Sequence, residues 1–449
     1  MRNGESEGTN EDEMIRAADG PHGESGESSG GRFGASFASL SIPTYRVLWV
    51  GSLLSFMSVQ MQFLLRGLLA WDLTESEGAL GIVYFAFGLA MLFATPLGGV
   101  ASDRLRKRTL LLWGQAILAA VAVFMGAVVL FDVAAFWMLP LSSVIQGVMF
   151  GLTGPARVTF AAQLVGRDRI GNAISLSMLG MNATRVVAPS FAGFLAGIAL
   201  FGIGGAYLVS ATFAVSSFLM VWQLPDPEPS GASDKSPLGD IVEGVRYVAS
   251  VPKLSRLLLT MFVVVMIAFP YVSFLPALIE GVFDKDDIWV GIASTASSIG
   301  AVLIAIPVAA IADSPKAGRW FTVSGFGFGL GVMLLGAAPS LTLSLVVIFF
   351  IGGATTGFQS LAGSIAIGES AESHQGRVQS LMQLSFAGFG MAGLPLGMLA
   401  EAIGLPNTMV IMGVIAIAAM SVSLLLEQLS ARRGRAVMPP IEVASNQAG

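Results

Sequence analysis

Between residues 47 and 428 the chain repeats one pattern twelve times: an apolar run of about 20 to 28 residues, closed at each end by a short polar join. That length as helix crosses the hydrocarbon of a bilayer. Inside lipid every backbone amide must find its partner within the protein, so such runs fold as helices and not as open strands. The runs lie near 47–70, 78–100, 109–131, 135–156, 171–198 and 203–224, then near 256–280, 288–312, 319–338, 341–366, 379–402 and 406–428. Joins as short as "GLPN" make sequential neighbours antiparallel hairpins. The expected fold is an all-α polytopic membrane protein.

Composition agrees. Hydrophobic residues make up 54% of the 449 and charged residues 12%, about half the charge of an ordinary soluble protein. There is no cysteine, and the two histidines, His22 and His374, sit in polar segments. That withholds the materials for disulfides, zinc sites and a serine triad. No strand followed by Gly-Lys-Ser/Thr exists to hold ATP. No carboxylate pair or Ser/Lys dyad lies within a run, so no enzyme, cofactor or metal site is expected, nor a nucleic-acid partner. The partners are lipid and a small-molecule substrate, with protons a further candidate.

Polar stretches divide the chain. Residues 1–35 are rich in Gly, Ser, Glu and Asp, too poor in apolar groups to offset ordering entropy, and have no apolar core of a signal peptide. The expected plan is a disordered tail (1–35), a six-helix bundle (36–225), a linker (226–252), a second bundle (253–430) and a short tail (431–449). Within the linker Leu238, Ile241, Val242, Val245 and Val248 have helical spacing, as for a short helix on a membrane surface.

Charge orients the chain. Arg104, Arg106, Lys107, Arg108, Arg167, Arg169, Lys235, Arg246, Lys253, Arg256, Lys316, Arg319, Arg377, Arg432, Arg433 and Arg435 fall on one face. The other face holds Lys285 and a row of acids: Asp72, Glu75, Glu77, Asp132, Glu280, Asp284, Asp286, Asp287 and Glu401. Basic loops stay in the cytoplasm, so both termini are expected there, on a multi-pass protein of the cell membrane. The halves also echo each other. Asp103 ends the second run and Asp313 the eighth, each followed by basic residues, a weak repeat of the kind that marks transporters.

The segment "GGVASDRLRKRTLLLWG" resembles the signature G-x-L-a-D-r-x-G-r-k of the Major Facilitator Superfamily through Gly99, Asp103, Arg104, Lys107, Arg108 and Leu112, with Arg106 in place of the second glycine. "GPARVTFAAQLVGRDRIGNAISLSMLGMNATRVVAPSFAGFLAG" is similar to the branch of enterobactin exporters and macrolide-efflux pumps, through Gly154, Pro155, Ala156, Arg157, Leu164, Val165, Asn172, Ala173, Arg185, Pro189, Ala192 and Gly193. The likeness runs from Tyr45 to about Arg435. It implies two pseudo-symmetric six-helix bundles, alternating access, a chain that works as a monomer and, most often, efflux. Two motifs depart from the superfamily's pattern. The antiporter glycine motif is degraded at Ala188–Gly193, and of R-x-x-Q-G only Gln146-Gly147 remain, with Ser143 at the arginine position.

Asp103 ends a helix whose dipole it opposes, so it calls for another helix's N-terminus or an arginine. The resemblance supplies the start of span eleven, with Arg104 and Arg108 bracing neighbours and small Gly98 and Gly99 permitting close approach. The implied cytoplasmic gate is Gly99, Asp103, Arg104, Lys107, Arg108, Arg157, Asp313 and Arg377; the alternative is a topogenic charge patch. Intramembrane charges are costly and mark function. Arg185 is the deepest, with Asn182 on the same face; it either binds structural partners or meets a polar or anionic substrate. Arg66, near the outer end of span one, is expected to reach toward Asp72. Gln60, Gln62, Gln146, Gln359 and Gln383 either line a cavity or join helices. Pro270 and Pro276 mark a flexing point in span seven, where Tyr271 and Phe274 either face substrate or pack. No mid-span carboxylate identifies a proton carrier; Asp72, Glu280 and Asp313 at span ends are candidates. The expected function is a secondary exporter of small amphipathic molecules. The alternatives are an importer or uniporter of the same fold, or a membrane sensor or intramembrane enzyme.

Overall fold

The structure is a computed structural model that describes residues 38–166, 169–226, 237–312, 314–371 and 374–436. The acidic segment 1–35, residues 227–236 of the linker, Asp313 and the tail from 437 lie outside it, as do the side chains of Asp103, Asn182 and Gln383.

After a 3-10 turn (Ala38–Ser41) come α1 (Pro43–Thr74), α2 (Glu77–Arg104), α3 (Lys107–Leu130), α4 (Met138–Val165), α5 (Ile170–Ala196) and α6 (Gly202–Trp222). A short helix, α7 (Pro237–Ser250), leads into α8 (Pro252–Ala268), α9 (Ile288–Ile311), α10 (Ala317–Gly336), α11 (Leu341–Gly368), α12 (Gln375–Ile403) and α13 (Leu405–Ala436). Among the described residues eight helices, α1, α2, α3, α6, α8, α9, α11 and α13, are long and apolar enough to cross a membrane by length and composition. Local chemistry sets the ends. Pro43 opens α1, where a missing N–H costs nothing. The Ser76 hydroxyl caps α2 by accepting from Ala79 N at 3.1 Å, and Glu77 complements the dipole. Gly404, at φ 85°, closes α12 in a conformation that a side chain would strain.

The packing repeats. α2 packs on α4 as α9 does on α11; α3 on α6 as α10 on α13; α1 on α5 and α6 as α8 on α12 and α13. Two seams join the halves, α2 on α12 and α5 on α9, and these exchange under the same pseudo-symmetry. The outer surface is greasy: Phe93 is 68% exposed and Ile306 74%. Such a surface belongs in lipid.

The flexing point expected in span seven is a break in the helix: α8 stops at Ala268, Phe269–Val272 form a 3-10 turn and Ala277–Val282 a π-turn. Pro270 and Pro276 remove ladder donors there, and irregular turns of this type recur at functional sites. α13 continues to Ala436, into the segment read as a tail. Gly98 serves its own bundle, because a Cβ there would run into Gly151 O of α4, not α12.

Candidate transport site

The polar core of the first bundle is built around Arg66. It is 1% exposed and lies eight residues, about 12 Å, from the acidic end of α1. Its Nη2 donates to Gln146 Oε1 of α4, and Gln146 Nε2 donates to Val59 O at 3.4 Å. The contact with Asp72 expected from sequence is not formed. Six residues at about 100° each place the two side chains roughly 240° apart around α1, so Arg66 faces the bundle while Asp72 faces the acidic surface. Among the described residues Arg66 is more enclosed than Arg185, which stays near the middle of α5, partly exposed. Gln62 donates to Ser58 Oγ on its own helix at 3.0 Å, while Gln60 and Gln359 are partly exposed.

Toward the basic end, Arg157 of the expected gate is held by α1. Its Nη2 donates to Ser55 Oγ at 3.1 Å and its guanidinium lies 4.6 Å from the centre of the Phe56 ring. Gln115 Nε2 of α3 donates to the same Ser55 hydroxyl at 2.8 Å. Sequence reasoning missed Ser55 and Gln115.

It also missed an aromatic ladder. Phe63 lies 4.6 Å from Tyr84, 5.7 Å from Phe87 and, across the seam, 5.8 Å from Phe389. Phe269 of the 3-10 turn meets Phe389 at 5.3 Å. The ladder descends from Phe87 to Phe150 and from Phe150 to Phe56, each step 6.3 Å, and ends under Arg157. The seven-residue spacing of Phe56 and Phe63, which puts both on one face of α1, was the available signal. By contrast, Tyr271 and Phe274 are buried: Tyr271 pairs with Ser297 Oγ at 3.5 Å and meets Phe328 edge-on, both in the second bundle.

Both seams are tight toward the acidic end. A Cβ on Gly88 would stand 2.7 Å from Gly390 Cα, and one on Gly193 2.5 Å from Gly291 Cα. Small residues at such crossings let backbones touch. Ser190 and Ser298 hydroxyls pair at 3.0 Å across the α5–α9 seam. A carboxylate completes the closure: Glu401, near the end of α12, accepts from Ser76 Oγ and from Gly78 N (3.2 Å) at the start of α2. A helix N-terminus favours such a charge. On the same acidic face, where the end of α5 meets the start of α9, a cleft of about 640 Å³ is lined by Glu280, Asp284, Lys285, Asp286 and Asp287. Past the end of the spanning segment at Val272, the Glu280 carboxyl is pushed up to about 9 by burial and then by its hydrogen bond to Asp287.

At the basic end, Arg108 donates to Trp222 O at the close of α6 and lies 5.9 Å from the centre of the Trp222 ring. Arg106 pairs with Asp226 at 3.0 Å. Arg104 is exposed, whereas Lys107 is 2% exposed; the bracing expected of Arg104 and Arg108 is thus made by Arg106 and Arg108. Gly99, on the last turns of α2, is partly buried. Arg377, at the start of α12, pairs with Glu243 of α7 at 3.0 Å, and Tyr247 stacks on His374 at 4.0 Å. Val242 and Val245 of α7 remain exposed.

Against known proteins, the profile of the transmembrane secretion effector family matches residues 34–445. The enterobactin exporter EntS of Shigella flexneri is 22% identical over 339 residues, 76% of this chain and 80% of that protein. EntS of Escherichia coli O1:K1 is 22% identical over 344 residues with the same coverage. Among solved structures, the nucleoside transporter NupG superposes with a TM-score of 0.68 at 15% identity, over 85% of this chain and 99% of that one. A bacterial homologue of the lysosomal transporter Spinster, inward-facing and unoccupied, also gives 0.68 at 15% identity, over 87% and 97%. These structures share the fold, and the sequence match carries the kinship: the chain belongs to the transmembrane secretion effector family of the Major Facilitator Superfamily, as a multi-pass secondary transporter and not an enzyme.

Proposed function

We propose that the protein exports small amphipathic molecules from the cytoplasm by alternating access, as a monomer in the cell membrane with its basic face and both termini inside. The observation that carries the reading is the closed seam. The two halves touch backbone to backbone toward the acidic end, with Glu401 latched over α2. The closest backbone contacts in the seam are at glycine and serine, which a rocking motion can part more readily than interlocked large side chains. Beneath it the ladder from Phe63 to Phe56, ending at Arg157, offers an apolar wall with one cation, suited to cargo with an aromatic body and a polar head. The relatives named enterobactin exporters favour the outward direction. Proton exchange is the proposed drive.

Inverted vesicles test this. A proton gradient should drive uptake of aromatic amphiphiles from a broad panel, and Arg157→Gln should abolish it. Flux that survives collapse of the gradient would favour a uniporter, and no substrate-dependent flux at all would defeat the reading.

A further inference from the structure

Arg66 has three guanidinium nitrogens in the interior of the first bundle, and only Nη2 meets an acceptor, Gln146 Oε1. Nε and Nη1 are enclosed and reach no acceptor among the described residues. The phenols of Tyr207 and Tyr84, on α6 and α2, lie within electrostatic reach of it, and no carboxylate among the described residues pairs with it. Tyr84 is committed, donating to Phe63 O at 3.3 Å. Tyr207 is not: its hydroxyl is buried and unpartnered among the described residues. The same holds for the Ser143 hydroxyl, one turn from Gln146 on the α4 face that meets Arg66. Every uncommitted group in this cluster is able to donate, and the cluster carries a full positive charge.

An enclosed charge without a counter-charge is strongly disfavoured, and a guanidinium with two open N–H directions is shaped to hold an anion. We propose that Arg66, Tyr207 and Ser143 form a buried site for one singly charged anionic group, inside the first bundle and separate from the Arg157–Phe56 end of the ladder. The group is either a free small anion or the carboxylate of an aromatic cargo; both present the same chemistry to the site. The site stands whichever way cargo moves.

Purified full-length protein in detergent tests it by thermal unfolding at fixed ionic strength. Sodium gluconate, the reference salt, is replaced stepwise by chloride or formate, and separately by benzoate with neutral benzamide as control. A saturable rise of about 3 °C in chloride or formate, absent in Arg66→Gln, identifies a free-anion site. A rise with benzoate alone, not with benzamide and absent in Arg66→Gln, identifies a cargo carboxylate. In gluconate Arg66→Gln should melt no lower than the parent, since it removes an uncompensated charge. Tyr207→Phe keeps the fold's apolar contacts and should weaken the apparent anion affinity about fivefold. The proposal is overturned if no anion moves the parent's Tm, if the rise persists in Arg66→Gln, or if Tyr207→Phe binds as the parent does when Arg66→Gln cannot be purified.

Discussion

Substituting Gly88 by alanine places one methyl group into the α2–α12 seam. Its Cβ would stand 2.7 Å from Gly390 Cα, 2.8 Å from Ala387 O and 2.8 Å from Met391 N. All three are backbone atoms, so no side chain can turn aside; the helices must separate by at least about 0.7 Å to restore ordinary contact. Overpacking of this kind costs about 1–3 kcal/mol. α2 and α12 belong to different halves, so the strain is borne by the state closed at the acidic end and relieved when the seam opens. The alanine's helix-propensity gain, about 1 kcal/mol, applies to both states and cancels. The open population should therefore rise about 5- to 150-fold. The chain has no cysteine, so Ser298→Cys, which lies in the α5–α9 seam against Ser190, is a background-free reporter for an impermeant maleimide added outside whole cells. Its labelling should quicken at least fivefold in the Gly88→Ala background. Gly154→Ala is the control, because its Cβ meets nothing within 4 Å. Unchanged labelling in Gly88→Ala, or an equal change in Gly154→Ala, would refute the seam argument.

Three further outcomes follow from the same geometry. Glu401→Gln keeps an acceptor over the start of α2 but removes the charge, worth about 0.3–1 kcal/mol, so the Ser298→Cys reporter should label about two- to fivefold faster. Glu280 binds its proton more tightly folded, at about 9, than unfolded, at 4.5; its stabilisation is full below pH 4.5 and is lost as pH rises through about 9. Melting temperature should thus fall between about pH 5 and 9, and Glu280→Gln should flatten that slope, with Asp72, Asp286, Asp287 and Lys285 left in place. Arg157→Lys should not restore the flux lost in Arg157→Gln, because a point ammonium cannot both lie flat on Phe56 and donate to Ser55; vesicle uptake at matched protein level measures this.

Much of this molecule was legible along the chain. Lipid leaves an apolar run no choice but helix, and the gathering of arginine and lysine on alternate joins ordered the loops into two faces. The prolines at 270 and 276 marked where the seventh run breaks, since proline withdraws a ladder donor wherever it stands. The likeness between the halves was visible as Asp103 and Asp313, and the paired helix contacts give that repeat its spatial meaning.

Azimuth and partnership were not legible. Arg66 and Asp72 are neighbours in sequence yet face different ways, and the partner of Arg66 lies 80 residues on, brought there only when α1 packs on α4. Glycine is common throughout, 54 of 449 residues, so nothing along the chain separates Gly88, which meets Gly390 of the other half, from Gly98, which meets Gly151 of its own. The ladder draws on α1, α2, α4 and α12. Sequence alone determined what crosses the membrane and which face is basic, because those depend on each segment's own free energy in lipid and on local charge. Which side chains meet inside was decided by tertiary packing, because a helix's rotation about its axis is set by its neighbours and not by its own residues.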